Sequence, residues 1–163
     1  MAAWRVYLDA SALGGPFDEE FAEGSKEFVD ALAGGVFRAI LSDTLIGELT
    51  DAPPEVQDLL DKVIRAGAER VAVTPQATQL RDAYLRAGVV TPKYADDALH
   101  VAHATIAQAD VIVSWNFRHL VNPSRVRGFN AVNSANGYAM VVILTPSDLV
   151  KTMEVGDEGE EDI

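Results

Sequence analysis

Short apolar runs alternate along the chain with longer segments whose apolar residues recur every three or four positions. Runs of four to eight residues are typical of strands buried on both faces, whereas the longer spacing is typical of helices with one buried face. The predicted strands are WRVYLD, VFRAILS, RVAVT, VIVSW and MVVIL. Because helices separate these strands, we expect a mainly parallel central sheet covered on both sides, which is an α/β fold of the three-layer α/β/α sandwich type.

The predicted helices rest on apolar stripes and on residues that begin or end helices. FDEEFAEGSKEFVDALAGG ends in two glycines, which often terminate a helix, and PQATQLRDAYLRAG begins with a proline, which is favoured in the first turn. EVQDLLDKVIRAG has one apolar stripe, YADDALHVAHATIAQAD is rich in alanine, and DTLIGELT is a short helix after the second strand. Residues 122–139, NPSRVRGFNAVNSANGYA, have the composition of a loop, and we expect no helix there.

The chain of 163 residues fits one ordinary domain, taken as residues 1–150, followed by an acidic tail at residues 151–163. The sequence EVGDEGEEDI cannot bury apolar surface, so we expect a disordered tail. The chain has no cysteine, which excludes disulfides and thiolate metal sites. Since it shows neither a secretory leader nor an apolar run long enough to span a bilayer, we expect a cytoplasmic protein without a membrane partner.

The formal net charge of -12 argues at first against a nucleic-acid partner, because phosphate binding normally relies on clustered lysine and arginine. Part of this acidity lies in the predicted tail. In addition, metal-dependent nucleases concentrate carboxylates, and the bound cation reverses the local sign. The net charge therefore does not exclude a nuclease.

Four residues whose side-chain oxygens could bind a metal lie just after predicted strands or on the helices that follow them. Asp9 ends the first strand, Glu48 lies on the short helix after the second, Asp97 is at the start of the alanine-rich helix, and Asn116 follows VIVSW. Parallel strands end at one edge of a sheet, so these side chains can converge there. Carboxylates brought together repel unless a cation lies between them, and oxygen ligands without cysteine favour Mg²⁺ or Mn²⁺. Such a cation supports attack of water on a phosphodiester.

These residues also have ordinary structural explanations. Asp9 can cap a helix, and Asp97 and Asp96 can complement a helix dipole. His100 and His103 are spaced like half of a zinc site, but no third ligand of that type follows nearby. Similarly, Trp4 and Trp115 flank buried strands, which favours a place in the core over a role in base stacking, and Arg125 and Arg127 fit a solvated surface as well as a phosphate contact.

Four motifs, YLDASAL, LIGELT, ADDALHVAHA and IVSWNFRHL, have the order and the intervals of the motifs of PIN-domain ribonucleases. From residue 4 to residue 150 the chain resembles, in particular, the VapC-like toxins of type II toxin–antitoxin systems. The resemblance implies a PIN-like domain that cleaves RNA with Mg²⁺ or Mn²⁺, an antitoxin protein as partner, and a homodimer. It also implies that Asp9, Glu48 and Asp97 are the catalytic and metal-binding acids.

The resemblance assigns supporting roles to neighbouring residues and contains one departure. Ser11 matches the hydroxyl residue near the metal, and Asp96 and His100 lie beside Asp97. The fourth acid of the family falls at Asn116, where SWN replaces the usual T-x-D. An asparagine can coordinate through its carbonyl oxygen but brings no charge, so a second metal would be held weakly or not at all. Near these motifs, three further side chains are candidate RNA contacts: Lys93, Arg118 and His119.

The sequence leaves three functions to compare. The first is a metal-dependent endoribonuclease, the toxin of a toxin–antitoxin pair. The second is a PIN-like module weakened by Asn116 that binds RNA or a protein partner. The third is a phosphatase of the haloacid-dehalogenase type, which also begins with a strand that ends in aspartate. That class needs a second acid two residues later, where this chain has Ser11, so the third function ranks below the other two.

Overall fold

The computed structural model describes the backbone of residues 3–161 and the side chains of residues 3–153. Its strands are β1 (Trp4–Leu8), β2 (Phe37–Ser42), β3 (Glu69–Val71), β4 (Val111–Val113) and β5 (Ile143–Leu144). Its helices are α1 (Ala10–Gly14), α2 (Ala22–Ala33), α3 (Asp43–Glu48), α4 (Pro54–Arg65), α5 (Pro75–Arg86), α6 (Ala95–Ile106), α7 (Pro123–Ala135) and α8 (Pro146–Glu161), with short 3₁₀ turns at Gly15–Phe17 and Pro92–Tyr94. The expected alternation of strands and helices is confirmed.

All five strands are parallel, in the order β3-β2-β1-β4-β5. The chain moves outward from β1 through β2 and β3, and then returns to place β4 on the other side of β1. The strand order therefore reverses between β1 and β4, where Leu8 is in register with Val113. In open α/β sheets, crevices for ligands form at such a reversal, beyond the carboxyl ends of the strands.

Alternation along the strands divides the core into two layers and gives the predicted α/β/α sandwich. On β1, Val6 and Leu8 pack with residues of α1, α2, α4 and α8, whereas Tyr7 packs with residues of α5, α6 and α7. The same division holds on β4, where Ile112 belongs to the second layer. Since both faces are covered, these strands read in the sequence as continuous apolar runs.

The prediction of a loop at residues 122–139 is wrong, because most of this segment is α7. Asn122 caps the helix by accepting hydrogen bonds from the backbone N–H groups of Ser124 and Arg125, and Pro123 occupies the first turn. Two of the residues on the buried face are polar. Asn130 and Asn133 are buried and satisfied by hydrogen bonds, so a search for apolar periodicity does not find the helix.

All five strands differ in extent from their predictions, and the differences are largest at β3 and β5. β3 begins at Glu69, one residue before RVAVT, and ends at Val71. β5 is shorter than MVVIL because the side chain of Asn130 accepts from the N–H of Val141 and donates to its carbonyl oxygen. This bidentate contact takes the place of a strand partner, so regular pairing starts only at Ile143.

The predicted boundary at residue 150 falls within α8, which continues to Glu161. The side chains after Met153 and the whole of residues 162–163 lie outside the described residues, and the disordered tail at 151–163 stays a prediction. Within the described part of the chain, the helices are too short or too polar to cross a membrane.

Candidate active site

Asp9 lies at the reversal of strand order, beside a serine from the neighbouring strand. Asp9 follows Leu8 at the end of β1, and Ser114 follows Val113 at the end of β4. Because Leu8 and Val113 are paired, the next residue of each strand emerges beside its neighbour, and Ser114 Oγ lies 2.5 Å from Asp9 Oδ2. The pairing of β1 with β4 therefore builds the centre of the site.

Both carboxylate oxygens of Asp9 accept hydrogen bonds. Ser114 donates to Oδ2, and Oδ1 accepts from Ser11 Oγ at 2.7 Å and from the N–H of Ala12 at 3.0 Å. The bond from Ala12 makes Asp9 the cap of α1, so the ordinary structural explanation holds. Asp9 is only 5% exposed, and burial raises the pKa of its carboxyl group although the two serine bonds and the charge of His100 oppose this. The carboxylate is thus oriented firmly but poorly solvated.

Asp97 lies in the first turn of α6 and is half-buried. Burial is the main cause that raises its pKa, and the charge of Asp9 raises it further. The charges of His119 and His100 act in the opposite direction, as does a hydrogen bond from Asn116. The charge of Asp9 therefore acts on Asp97, which places the two acids within electrostatic range of each other.

Asn116 lies among Ser114, His119 and Asp97 and acts on each of them. Its backbone N–H donates to Ser114 Oγ at 2.9 Å, its Oδ1 accepts from the N–H of His119 at 3.0 Å, and its amide lowers the pKa of Asp97. The contact with His119 is a turn cap, as the structural explanation expects. The effect on Asp97 joins Asn116 to the carboxylate group as well.

Glu48 belongs to a chain of hydrogen bonds that runs into the core. Its Oε1 lies 2.8 Å from His100 Nε2, His100 Nδ1 lies 2.6 Å from the hydroxyl of Tyr7, and that hydroxyl lies 2.8 Å from Ser42 Oγ. Burial, the largest effect, lowers the pKa of His100, but the bond and charge of Glu48 and the charges of Asp9 and Asp97 outweigh it. The net result is a raised pKa, which favours a protonated His100 among the acids.

The second histidine of the suggested zinc pair has different surroundings. His103 Nε2 lies 2.9 Å from Thr44 Oγ1, and burial lowers the pKa of His103 to about 4. The ring nitrogens of His100 are already engaged by Tyr7 and Glu48. The two histidines therefore serve separate hydrogen-bonded contacts.

The candidate RNA contacts surround the ring of Tyr94. The Nζ of Lys93 and the guanidinium carbon of Arg118 each lie 5.6 Å from its centroid, and both side chains are exposed. His119 is buried with its ring centroid 3.9 Å from that of Tyr94, and neither of its ring nitrogens has a hydrogen-bond partner in the described structure. Burial lowers the pKa of His119. Asp96 is exposed on α6.

The side-chain oxygens at this site are of the type that binds hard cations such as Mg²⁺. Asp9 and Asp97 supply carboxylate oxygens and Asn116 supplies an amide, and Mg²⁺ is often held by only one or two carboxylates together with water and substrate phosphate. Among the described side chains, those of residues 3–153, no group of three or more acidic or histidine residues has an arrangement that could hold a metal ion. The carboxylate of Glu48 is paired with His100. The described site thus offers two carboxylates of the chemical kind that Mg²⁺ and Mn²⁺ prefer.

Sequence reasoning missed two residues of this site. The sequence patterns do not identify Ser114 as the partner of Asp9, although its hydroxyl group directly follows a buried strand, at the threonine position of the motif that SWN resembles. Nor do they distinguish Tyr7 from its apolar neighbours, yet a buried tyrosine hydroxyl needs a hydrogen-bond partner, and here it contacts His100 and Ser42.

Solved structures share this fold. The crystal structure of VapBC2 from Rickettsia felis bound to a DNA fragment from their promoter matches 86% of this chain and 98% of its own, with a TM-score of 0.53 and 14% identity. The crystal structure of FitAcB from Neisseria gonorrhoeae matches 86% of this chain and 97% of its own, with a TM-score of 0.52 and 12% identity. No protein-family model matches the sequence, and no curated protein is similar to it. The chain therefore has a PIN-like fold, as its motifs predict.

Proposed function

We propose that this chain is a metal-dependent endoribonuclease and the toxin of a toxin–antitoxin pair in the cytoplasm. The observation that carries the proposal is the buried carboxylate of Asp9 at the reversal of strand order, with the half-buried carboxylate of Asp97 in its electrostatic range. Burial raises the pKa of both groups, and the charge of Asp9 raises that of Asp97. A cation between them would relieve both effects, which supports a metal-dependent reaction.

In the proposed reaction the side chains divide into holding and orienting roles. Asp9 and Asp97 would hold Mg²⁺ or Mn²⁺ with the carbonyl oxygen of Asn116, and Ser11 and Ser114 fix the direction of the Asp9 carboxylate. When bound, the cation would polarise the phosphodiester and lower the pKa of a water molecule. Because the two serine hydroxyls are already in place, the Asp9 carboxylate needs no rearrangement.

Glu48 is the third acid of the proposal. Its carboxylate is held beside the acids through His100, whose pKa is raised by the charges of Glu48, Asp9 and Asp97. Only Oε1 of Glu48 is bonded to His100, so the other carboxylate oxygen can face a cation while that bond persists. We therefore expect Glu48 to contribute to metal affinity through its second oxygen.

The toxin role rests on the shared fold. The similar structures are VapBC2 with promoter DNA and FitAcB, and their likeness to this chain supports an antitoxin protein as its partner. A homodimer, which the resemblance of the motifs implies, is part of the same proposal. Inspection of the adjacent reading frame tests this part. A small upstream frame with a DNA-binding amino terminus, whose product copurifies with this chain, is the expected result.

A cleavage assay tests the enzymatic part. We expect the purified chain to cleave single-stranded RNA with Mg²⁺ or Mn²⁺ but not with EDTA, and we expect Asp9→Asn and Asp97→Asn to abolish cleavage. Asp61→Asn is the matched control, since Asp61 is an exposed aspartate on α4. Cleavage that persists in EDTA, or an Asp9→Asn variant as active as wild type, would contradict the metal mechanism.

The pairing of Glu48 with His100 and the uncharged Asn116 favour one alternative, a PIN-like module that binds RNA or a protein partner without cleaving. The same assay separates the two functions. RNA binding without cleavage at any concentration of Mg²⁺ or Mn²⁺ would support the binding module.

A further inference from the structure

Three aromatic rings form a cluster beside the acids. The rings of Phe21 and Trp115 are nearly parallel, with centroids 4.7 Å apart and an interplanar angle of 14°. Phe117 lies 6.2 Å from each of them, and 51% of its surface is exposed. Phe117 directly follows Asn116, whose backbone N–H donates to Ser114 Oγ, the hydroxyl that donates to Asp9, so an exposed ring stands next to the candidate active site.

The base of this cluster is held rigidly. A Cβ atom at Gly15 would lie 2.6 Å from the indole ring of Trp115, and one at Gly24 would lie 2.8 Å from its far edge. The indole N–H donates to Ser25 Oγ at 2.9 Å, and the backbone N–H of Trp115 donates to Ser11 Oγ at 2.8 Å. Phe117 therefore rests on an indole that has no room to shift, and its exposed side is preorganised to receive a planar group.

Two positively charged side chains, those of Arg118 and Lys93, lie near Phe117. Arg118 is the next residue along the chain, and it shares the ring of Tyr94 with Lys93. Among the described residues, no carboxylate forms an ion pair with either cation, although the chain carries a net charge of -12. Unneutralised cations beside an exposed ring suit a ligand that combines a planar base with a phosphate.

We propose that Phe117, supported by Trp115 and Phe21, stacks on an unpaired nucleobase, while Arg118 and Lys93 bind the neighbouring phosphate groups. The proposal rests on the endoribonuclease function and adds a residue that makes the site select unpaired RNA. A base within a duplex already stacks on its neighbours, whereas an unpaired base can place one face on Phe117.

The test measures RNA binding in EDTA, where the proposed cleavage cannot occur. Fluorescence anisotropy compares a labelled single-stranded RNA with the duplex of the same sequence. Phe117→Leu keeps apolar volume but removes the aromatic face, and Phe117→Tyr keeps the ring. We expect Phe117→Leu to bind the single strand about 10-fold more weakly, Phe117→Tyr to bind like wild type, and the duplex affinity to stay unchanged.

Trp4→Ala is the control for losing an aromatic side chain elsewhere. Trp4 is 41% exposed at the beginning of β1, at the opposite edge of the sheet from the acids, and its replacement should leave RNA affinity unchanged. Arg118→Gln should weaken the binding of both RNAs and reduce the slope of log affinity against log salt by about 0.7 for the single strand. Circular dichroism verifies that each variant folds.

The outcomes separate this proposal from the enzymatic one. If Phe117→Leu binds single-stranded RNA as tightly as wild type, the stacking role is overturned, whatever the cleavage assay gives. An equal loss of affinity for the single strand and the duplex would also overturn it. A changed oligomeric state of Phe117→Leu in sedimentation would overturn it in favour of a contact between protein copies. If the chain binds unpaired RNA through Phe117 but never cleaves it, only the endoribonuclease function fails.

Discussion

Ser114 donates a hydrogen bond to Asp9 from the neighbouring strand, with Ser114 Oγ 2.5 Å from Asp9 Oδ2. The bond exists because β1 and β4 pair in a register that places both residues one step beyond the sheet. It orients the carboxylate without restoring the solvation that burial removes, since the pKa of Asp9 remains raised. The fold therefore contains a charge that is unfavourable for stability, and the proposed cation would compensate it.

Asp9→Asn should stabilise the metal-free protein at neutral pH while it abolishes cleavage. A carboxyl group whose folded pKa lies above its unfolded value of 3.8 lowers stability as the pH rises past that value toward the folded pKa. Removing the charge removes this loss. Urea unfolding in EDTA should give a higher free energy for Asp9→Asn at pH 7 and a smaller difference at acid pH. A less stable variant at pH 7 would show that the carboxylate is needed for packing.

Glu48→Gln should lower the pKa of His100, because the ion pair that raises it is lost. A raised histidine pKa contributes stability below the unfolded value of 6.5, and this contribution is lost as the pH rises through the folded pKa. The variant should therefore be less stable than wild type mainly at the acid side of neutrality. NMR titration of the imidazole signals measures the shift, with His103 as the internal control at about 4. An unchanged His100 titration would contradict the pairing.

Gly15→Ala should destabilise the fold by about 1–3 kcal/mol, the usual cost of overpacking a filled site. The added methyl group would lie 2.6 Å from the Trp115 indole and 2.8 Å from Ser25 Oγ. Gly14→Ala is the matched control, since a Cβ there meets nothing within 4 Å. Denaturant unfolding should leave Gly14→Ala close to wild type. Equal stabilities for both variants would mean that Trp115 can move, which would weaken the case for a rigid aromatic base.

The sequence predicts the structure well where the type of a single residue determines it, and less well where contacts between distant residues determine it. The position of Asp9 at the end of an apolar run is enough to place it at the sheet edge, because strand ends are readable from composition. The helix α7 is not readable in this way, since Asn130 and Asn133 take places on its buried face that apolar residues usually fill. Only the folded contacts with Val141 and Thr105 show why asparagine is acceptable there.

The electrostatic relations within the site are similarly hidden from the sequence. The motif LIGELT identifies Glu48 as an acid of interest, but the partner of its carboxylate, His100, lies 52 residues away. Whether that carboxylate faces a cation or an imidazole depends on how α3 packs against α6. The sequence thus predicts which acids approach the edge of the sheet, and the packing of helices determines the contacts they make.

Asn116→Asp tests whether the fourth position of the site takes part in metal binding. The new carboxylate keeps an oxygen for the N–H of His119 and adds a charge beside Asp97, so metal binding should tighten and cleavage should rise, most clearly at low Mg²⁺. In EDTA the same charge should lower stability, because it repels Asp97. Asn122→Asp is the control, since Asn122 also caps backbone N–H groups and an aspartate serves equally well there. Calorimetric Mg²⁺ titration and cleavage at increasing Mg²⁺ measure both effects. Identical curves for Asn116→Asp and wild type would mean that Asn116 only caps the turn. An equal gain in Mg²⁺ affinity and cleavage for Asn122→Asp would mean that the effect comes from net charge alone.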